Sequence, residues 1–199
     1  MGGSLGTWKP LTPAEVAREL RGMPGPWWIA GGWAIELHLG QQSPPHDDVD
    51  VAVLRSDQLA VQQHFATWEL RAADPPGTLR PWREGEVLPV QVHDIWCRRS
   101  PSSPWCLQLM IEDSEDDEWI YRRDARIRRP LVELDDPSSN TRHRVLGADI
   151  QLLYKSTHPR PKDELDFHAV RGFLDDGQQR WLVETLAITS PRHPWIDRL

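Results

Sequence analysis

A short alternating segment, residues 48–53, constrains the fold of this chain more than any other part of its sequence. It reads Asp-Val-Asp-Val-Ala-Val, so apolar residues alternate with two carboxylates before the run ends. Alternation with a period of two is typical of a strand that has one buried face and one polar face. The pattern predicts a strand over residues 49–54, from which Asp48 and Asp50 project on the same side.

A pair of glycines comes before this strand. The apolar run at residues 27–30 predicts a buried strand, and Gly31 and Gly32 follow it directly, ahead of a short helix over residues 33–39. Glycines that open a helix leave backbone N–H groups accessible to a phosphate. Neighbouring carboxylates repel each other unless a cation lies between them, and Mg²⁺ is commonly held by one or two carboxylates plus substrate phosphates. Together the two features favour phosphoryl or nucleotidyl transfer.

The remaining pattern changes from mixed strands and helices to helices alone near residue 145. It predicts a surface loop over residues 74–86, further strands at 68–72, 93–98, 105–112 and 118–122, and helices at 13–22, 56–67, 148–156, 162–174 and 178–187. This order favours an α+β fold. We expect an α/β domain over residues 1–145, with a short helical region over residues 146–199 packed on it.

Composition narrows the class of function. The chain carries 23 Lys and Arg against 30 Asp and Glu, a formal net charge of −7, which argues against a nucleic-acid partner and suits a small-molecule enzyme or a cationic substrate. Two cysteines are too few for a disulfide framework. No stretch approaches the roughly 20 apolar residues of a membrane span. These features predict a cytoplasmic protein with no membrane partner, and they leave the oligomeric state open.

The segments that carry these features resemble a known family. IAGGWAIELHLG at residues 29–40, followed by HDDVDVAVL at residues 46–54, resembles the nucleotidyltransferase superfamily, which has the DNA polymerase β-like fold. Within it the match is closest to the aminoglycoside nucleotidyltransferases. The resemblance implies a mixed sheet with flanking helices and a small C-terminal helical part. It also implies Mg²⁺-dependent transfer of a nucleotide monophosphate, expected to be AMP from ATP, to a hydroxyl of a small, aminoglycoside-like molecule.

The same resemblance assigns roles to residues. Gly31 and Gly32 would hold the nucleoside triphosphate, and Asp48 and Asp50 would bind two Mg²⁺ ions. Lys155, on a predicted helix, would reach the triphosphate.

The family needs a third carboxylate on a nearby strand, and here the sequence offers alternatives. In the strand at residues 105–112, alternation places Gln108 and Glu112 on one face, and a glutamine cannot act as a base. We rank Glu112 ahead of Asp94 as the third catalytic carboxylate. The remaining alternative is that this carboxylate is absent and Gln108 stands in its place.

Two other functions remain open at this stage. One is a toxin or antitoxin type of nucleotidyltransferase that acts on a protein or on tRNA. A tRNA acceptor would require a basic groove, and the only basic cluster, residues 122–129, follows the acidic run 113–118, with which we expect it to pair. The other is a non-catalytic, nucleotide-binding relative. In the helical region, the i,i+4 spacing of Lys162 and Asp166 predicts an ion pair.

Overall fold

A mixed β-sheet forms the centre of the protein, which we describe from a computed structural model over residues 6–40, 46–139 and 143–199. The strands are β1 (Trp27–Ala30), β2 (Asp50–Leu54), β3 (Glu69–Ala73), β4 (Leu79–Pro81), β5 (Asp94–Arg98), β6 (Leu107–Glu115), β7 (Glu118–Ile120) and β8 (Arg128–Pro130). The helices are α1 (Pro13–Glu19), α2 (Gly31–Leu39), α3 (Gln58–His64), α4 (Ala148–Ser156), α5 (Pro161–Val170) and α6 (Asp176–Thr189).

The sheet joins segments that are distant in the sequence. Its strand order is β1-β2-β6-β5-β3-β4, and β7 and β8 extend it from the far end of β6. β2 and β6 run parallel, and the other pairs are antiparallel. The register places Asp50 beside Gln108, and Gln108 beside Trp96. The predicted mixed sheet with flanking helices is confirmed.

Each face of the sheet has its own apolar core. Val51 and Val53 of β2 belong to one core, together with residues of α1, α3, β5 and β6. Ala52 and Leu54 belong to the other, together with residues of β1 and of helices α4 to α6. The C-terminal helices therefore cover the β1–β2–β6 side of the second face. The domain boundary near residue 145 stays a prediction.

Most predicted elements are present with shifted ends. Helix α1 ends at Glu19, because the chain turns at Leu20 and Gly22 has φ +79°. Strand β2 begins at Asp50, one residue later than expected. The region 74–86 includes the short strand β4, and β8 was not predicted. The residues of the predicted loop at 41–45 lie outside the described ranges.

None of the helices in the described part of the chain is long and apolar enough to cross a membrane. Cys97 and Cys106 are both buried free thiols.

Candidate active site

The glycine pair and the carboxylates meet where β1 passes into α2. β1 pairs with β2 so that Ala30 lies opposite Asp50, and Gly31 follows at once. Gly31 has φ +64°, a backbone conformation that residues with a side chain rarely adopt. A Cβ atom at this position would also overlap Asp50 Oδ2. A glycine is therefore required at this position for two reasons: its backbone angle, and the space that the Asp50 carboxylate occupies.

The backbone N–H of Gly31 is not open as the sequence suggested. It donates to Gln151 Oε1 of α4 at 2.9 Å, so Gly31 contributes space rather than a donor. Helix α2 has no side-chain cap on its first turn within the described residues. The N–H groups from Gly32 onward are therefore the ones that remain for an anion.

His46 packs against Gly32 and anchors the segment that leads to Asp48. A Cβ atom at Gly32 would lie 2.6 Å from His46 Cε1. The imidazole Nε2 lies 2.5 Å from Oε1 of the buried Glu36. The centroid of the imidazole ring lies 4.7 Å from that of the Trp33 ring. These contacts hold His46, and with it the segment that leads to Asp48, against helix α2.

Asp50 lies at the centre of a cluster of charged groups. Burial raises its pKa to about 7, and the negative charges of Asp48 and Asp94 add to that effect. The positive charges of Lys155 and Lys162 act in the opposite direction. Asp48 precedes β2 and is exposed, whereas Asp50 and Asp94 are half-buried. The structure thus brings the two predicted metal-binding carboxylates together with a third one, Asp94.

Asp94, and not Glu112, is the third carboxylate of this cluster. Asp94 opens β5 and lies beside Met110 of β6, and its Oδ1 accepts a hydrogen bond from Gln108 Nε2 at 3.2 Å. Gln108 is in register with Asp50. Gln108 thus lies between Asp50 and Asp94 in the sheet, and its side chain holds the Asp94 carboxylate.

Glu112 lies four residues further along β6, opposite Leu54, where the C-terminal helices cover the sheet. It is 1% exposed and accepts hydrogen bonds from Trp119 Nε1 at 2.7 Å and from the Tyr154 hydroxyl at 2.5 Å. Burial raises its pKa. The structure thus places Glu112, which the sequence ranked first, away from the Asp50 cluster, because strand alternation gives the face of a residue but not its position under the covering helices.

Lys155 lies near Asp50 but is already ion-paired. Its Nζ is 2.7 Å from Asp166 Oδ2 and 3.3 Å from Asp163 Oδ1, and its side chain is largely buried. Asp166 therefore pairs with Lys155 and not with Lys162, as the sequence spacing had suggested. Within the described ranges no carboxylate lies within ion-pair distance of Lys162. The role predicted for Lys155 at the triphosphate stays a prediction.

Comparison with known proteins finds one matching family model and solved structures with a similar fold. The model of the aminoglycoside-2″-adenylyltransferase family matches residues 14–72. The lincosamide antibiotic adenylyltransferase LnuA, solved with lincomycin bound, superposes with a TM-score of 0.55 at 13% identity, over 83% of this chain and 100% of that one. ANT(2″)-Ia, solved with adenylyl-2″-tobramycin, gives 0.50 at 14% identity, over 89% and 96% of the two chains.

The chain has the nucleotidyltransferase fold. The resemblance to aminoglycoside nucleotidyltransferases is confirmed by the family model over residues 14–72, and both structures share the fold. A search of curated protein sequences finds no significant match.

The carboxylates of this site suit a cation that is held partly by the protein and partly by the nucleotide. Within the described ranges no three ligating side chains lie close enough together to form a complete metal cage. Mg²⁺ rarely uses such cages, because it keeps several waters and binds one or two carboxylates together with substrate phosphates. A carboxylate that is half-buried between two others, as Asp50 is, gains most from a cation beside it. The residues therefore fit Mg²⁺ that arrives with a triphosphate.

The basic cluster does not form a groove for nucleic acid. Arg128 pairs with Glu115 of the acidic run, as predicted, at 2.7 Å. Three of the other arginines are bound elsewhere in the protein: Arg123 donates to the Tyr154 carbonyl at 2.7 Å, Arg126 pairs with Asp124 at 2.6 Å, and Arg129 pairs with Asp149 at 2.6 Å. The fourth, Arg122, lies over the Tyr154 ring at 5.2 Å. These contacts occupy the guanidinium groups that phosphates would need.

The start of α5 provides a prediction for acid stability. Burial would raise the pKa of Asp163, but hydrogen bonds from Arg160 and the charge of Lys155 lower it to about 2. A lowered pKa stabilises the fold above the unfolded-state pKa, and this stabilisation is lost as the pH falls towards 2. We expect Asp163→Asn to lower the free energy of unfolding by about 2 kcal/mol at pH 7, and by about half as much at pH 3.

Urea denaturation at pH 7, 5 and 3 checks this expectation. Asp176→Asn, at an exposed first-turn carboxylate of α6, is the matched control and should change stability by less than about 0.5 kcal/mol. A difference between wild type and Asp163→Asn that stays constant across this pH range would contradict the argument.

Proposed function

We propose that this protein transfers AMP from ATP to a hydroxyl group of a small antibiotic molecule, in a reaction that depends on Mg²⁺. The observation that carries the proposal is the position of Asp94, which accepts from Gln108, the residue in register with Asp50 beside the open first turn of α2. A nucleotide-binding relative without activity would need no third carboxylate at this point. That alternative is therefore not favoured, and the toxin-type alternative lacks a basic groove.

In the proposed reaction, Asp48 and Asp50 would hold two Mg²⁺ ions, with Asp94 able to share one of them. These ions would neutralise charge on the triphosphate and on the attacking and leaving oxygens. The N–H groups at the start of α2 would donate to phosphate oxygens. Lys162, exposed and without an ion-pair partner in the described part of the chain, is better placed than Lys155 to pair with the triphosphate.

Asp94 would orient the acceptor hydroxyl and take its proton. The acceptor oxygen then forms a bond to the α-phosphorus, and the bond from that phosphorus to the bridging oxygen breaks, so that pyrophosphate leaves with the electron pair. Gln108 would hold the Asp94 carboxylate in place through its amide hydrogen bond. A base in such a position contributes about 10²- to 10⁴-fold to the rate.

The acceptor class comes from the similar proteins. The family model carries the name of an enzyme that acts on aminoglycosides, LnuA was solved with lincomycin, and ANT(2″)-Ia was solved with adenylylated tobramycin. An antibiotic hydroxyl is the acceptor that these have in common.

The test combines nucleotide binding with product detection. Calorimetry should show ATP binding that requires Mg²⁺ and is lost in the Asp48→Ala/Asp50→Ala double variant. Mass spectrometry should then detect an AMP adduct of lincomycin or tobramycin with wild type, and none after EDTA treatment. If the folded wild type binds no nucleoside triphosphate with Mg²⁺ present, the proposed function is wrong.

A further inference from the structure

The sheet surface beside Asp94 carries side chains that the proposed transfer does not use. Along β5, Asp94, Trp96 and Arg98 alternate with Ile95 and Cys97, which are fully buried in the core beneath. The first three therefore project from the opposite face of the sheet, the face that also bears Asp50. A molecule whose hydroxyl reaches Asp94 would extend over this surface.

Trp96 lies at the middle of that surface. In one row across the sheet, Asp50 is followed by Gln108, Trp96 and Arg71 on successive strands. Strands lie about 4.8 Å apart, so the backbone of Trp96 is about 10 Å from that of Asp50. The core under the C-terminal helices draws on β1, β2 and β6 but, within the described residues, includes no side chain of β3, β4 or β5. This half of the face is thus left outside the helical cover.

The indole of Trp96 is held by other aromatic rings. Its ring centroid lies 4.9 Å from that of Trp8 and 5.7 Å from that of Trp105, and both pairs have T-shaped geometry. Trp105 in turn packs under the Arg98 guanidinium at 4.3 Å. The half-buried indole is therefore a rigid apolar surface, which can cover one face of a ring at a low cost in conformational entropy.

The charges around Trp96 do not favour a polycation. The carboxylate of Glu69 is shared by Arg71 and Arg98, each at 2.7 Å, and hydrogen bonds from these arginines lower its pKa. Arg80, on the neighbouring β4, pairs with Asp74 and Glu86, each at 2.8 Å. Three carboxylates and three arginines pair here, so this surface offers no unpaired carboxylate to the further ammonium groups of a polyamine.

We infer that the acceptor is a hydroxylated ring compound with at most one positive charge, which stacks an apolar face on Trp96 with its hydroxyl at Asp94. This inference rests on the proposed function and specifies its substrate class. The net charge of −7 favours a cationic sugar when the chain is taken as a whole, but the balanced ion pairs around Trp96 decide which ring compound the surface accepts.

The test measures acceptor affinity separately from nucleotide affinity. Protein loaded with Mg²⁺ and an ATP analogue that cannot be cleaved between its α- and β-phosphates is titrated by calorimetry with lincomycin, which has a single basic amine, and with tobramycin, a polyamine. We expect wild type to bind lincomycin at least about tenfold more tightly. Trp96→Ala should weaken lincomycin binding about tenfold and leave analogue binding unchanged.

Two further variants complete the design. Trp68→Ala removes another half-buried tryptophan that packs under an arginine, and it should change lincomycin affinity by less than about twofold. Arg71→Glu makes the surface acidic and should tighten tobramycin binding about tenfold at low salt, with the gain reduced at high salt. This variant keeps the test valid if Trp96→Ala does not fold.

The outcomes separate the two proposals. Tighter binding of tobramycin than lincomycin, unchanged affinity in both Trp96→Ala and Arg71→Glu, or binding of neither acceptor by protein that holds the analogue would overturn the inference and leave the nucleotide site intact. Absence of analogue binding to folded wild type would overturn the proposed function, and the inference with it.

Discussion

Replacing Asp50 by asparagine should abolish transfer and, at the same time, stabilise the metal-free protein. Burial and two neighbouring carboxylates raise the pKa of Asp50 to about 7. A raised carboxylate pKa means that, between about pH 4 and pH 7, the folded state holds a proton that the unfolded state has released, so stability falls across this range and stays reduced above pH 7. We expect metal-free Asp50→Asn to be more stable than wild type by about 2–4 kcal/mol at pH 8 and by less than about 1 kcal/mol at pH 4.

The same Asp50→Asn substitution should lower the transfer activity although it raises the stability. An asparagine cannot supply the charge that a bound cation requires, so transfer should fall by about a thousandfold or more, equivalent to about 4 kcal/mol of transition-state stabilisation. Denaturation in EDTA at pH 4 and pH 8, together with a transfer assay at saturating Mg²⁺, tests both effects. Asp48→Asn is the matched control: it should also lose activity, but its exposed carboxylate should change stability by less than about 1 kcal/mol. An Asp50→Asn variant that is less stable at pH 8 would refute the argument.

The parts of the fold that sequence predicts best are those that local patterns dictate. The alternation at residues 49–54 and the short segment at residues 33–39 were sufficient for β2 and for most of α2, because strand faces and helical segments depend on neighbouring residues. Helix α2 begins at Gly31, two residues earlier than predicted. The helices α4, α5 and α6 follow from apolar spacing for the same reason. The short strands β4 and β8 were missed, because three residues carry too little pattern to be separated from a loop.

The parts that sequence could not predict depend on partners distant in the chain. The hydrogen bond from Gly31 to Gln151 spans 120 positions, and it changes the expected use of that glycine. The choice between Asp94 and Glu112 required the pairing of β5 with β6 and the placement of α4 over the far end of β6. Neither is encoded in the spacing of the two carboxylates.

That choice leads to a second prediction, in which Asp94 and Glu112 separate activity from stability. We expect Asp94→Asn to lower transfer by about 10²- to 10⁴-fold, because the amide cannot take the proton of the acceptor hydroxyl. The fold should be unaffected, since the residue is half-buried and the asparagine oxygen still accepts from Gln108. The midpoint of thermal unfolding should therefore stay close to that of wild type.

Glu112→Ala should show the opposite pattern. The substitution leaves the buried donors of Trp119 and Tyr154 without an acceptor and opens a cavity among α4, β6 and β7, so the free energy of unfolding should fall by about 2–4 kcal/mol. The molecules that remain folded should transfer AMP at nearly the wild-type rate, because the Glu112 carboxylate is buried against Trp119 and Tyr154. Urea denaturation and initial rates per folded molecule measure the two quantities. If Glu112→Ala lost activity while remaining stable, and Asp94→Asn kept it, the assignment of the third carboxylate would have to be reversed, and the proton of the acceptor would need another route through the covered end of the sheet.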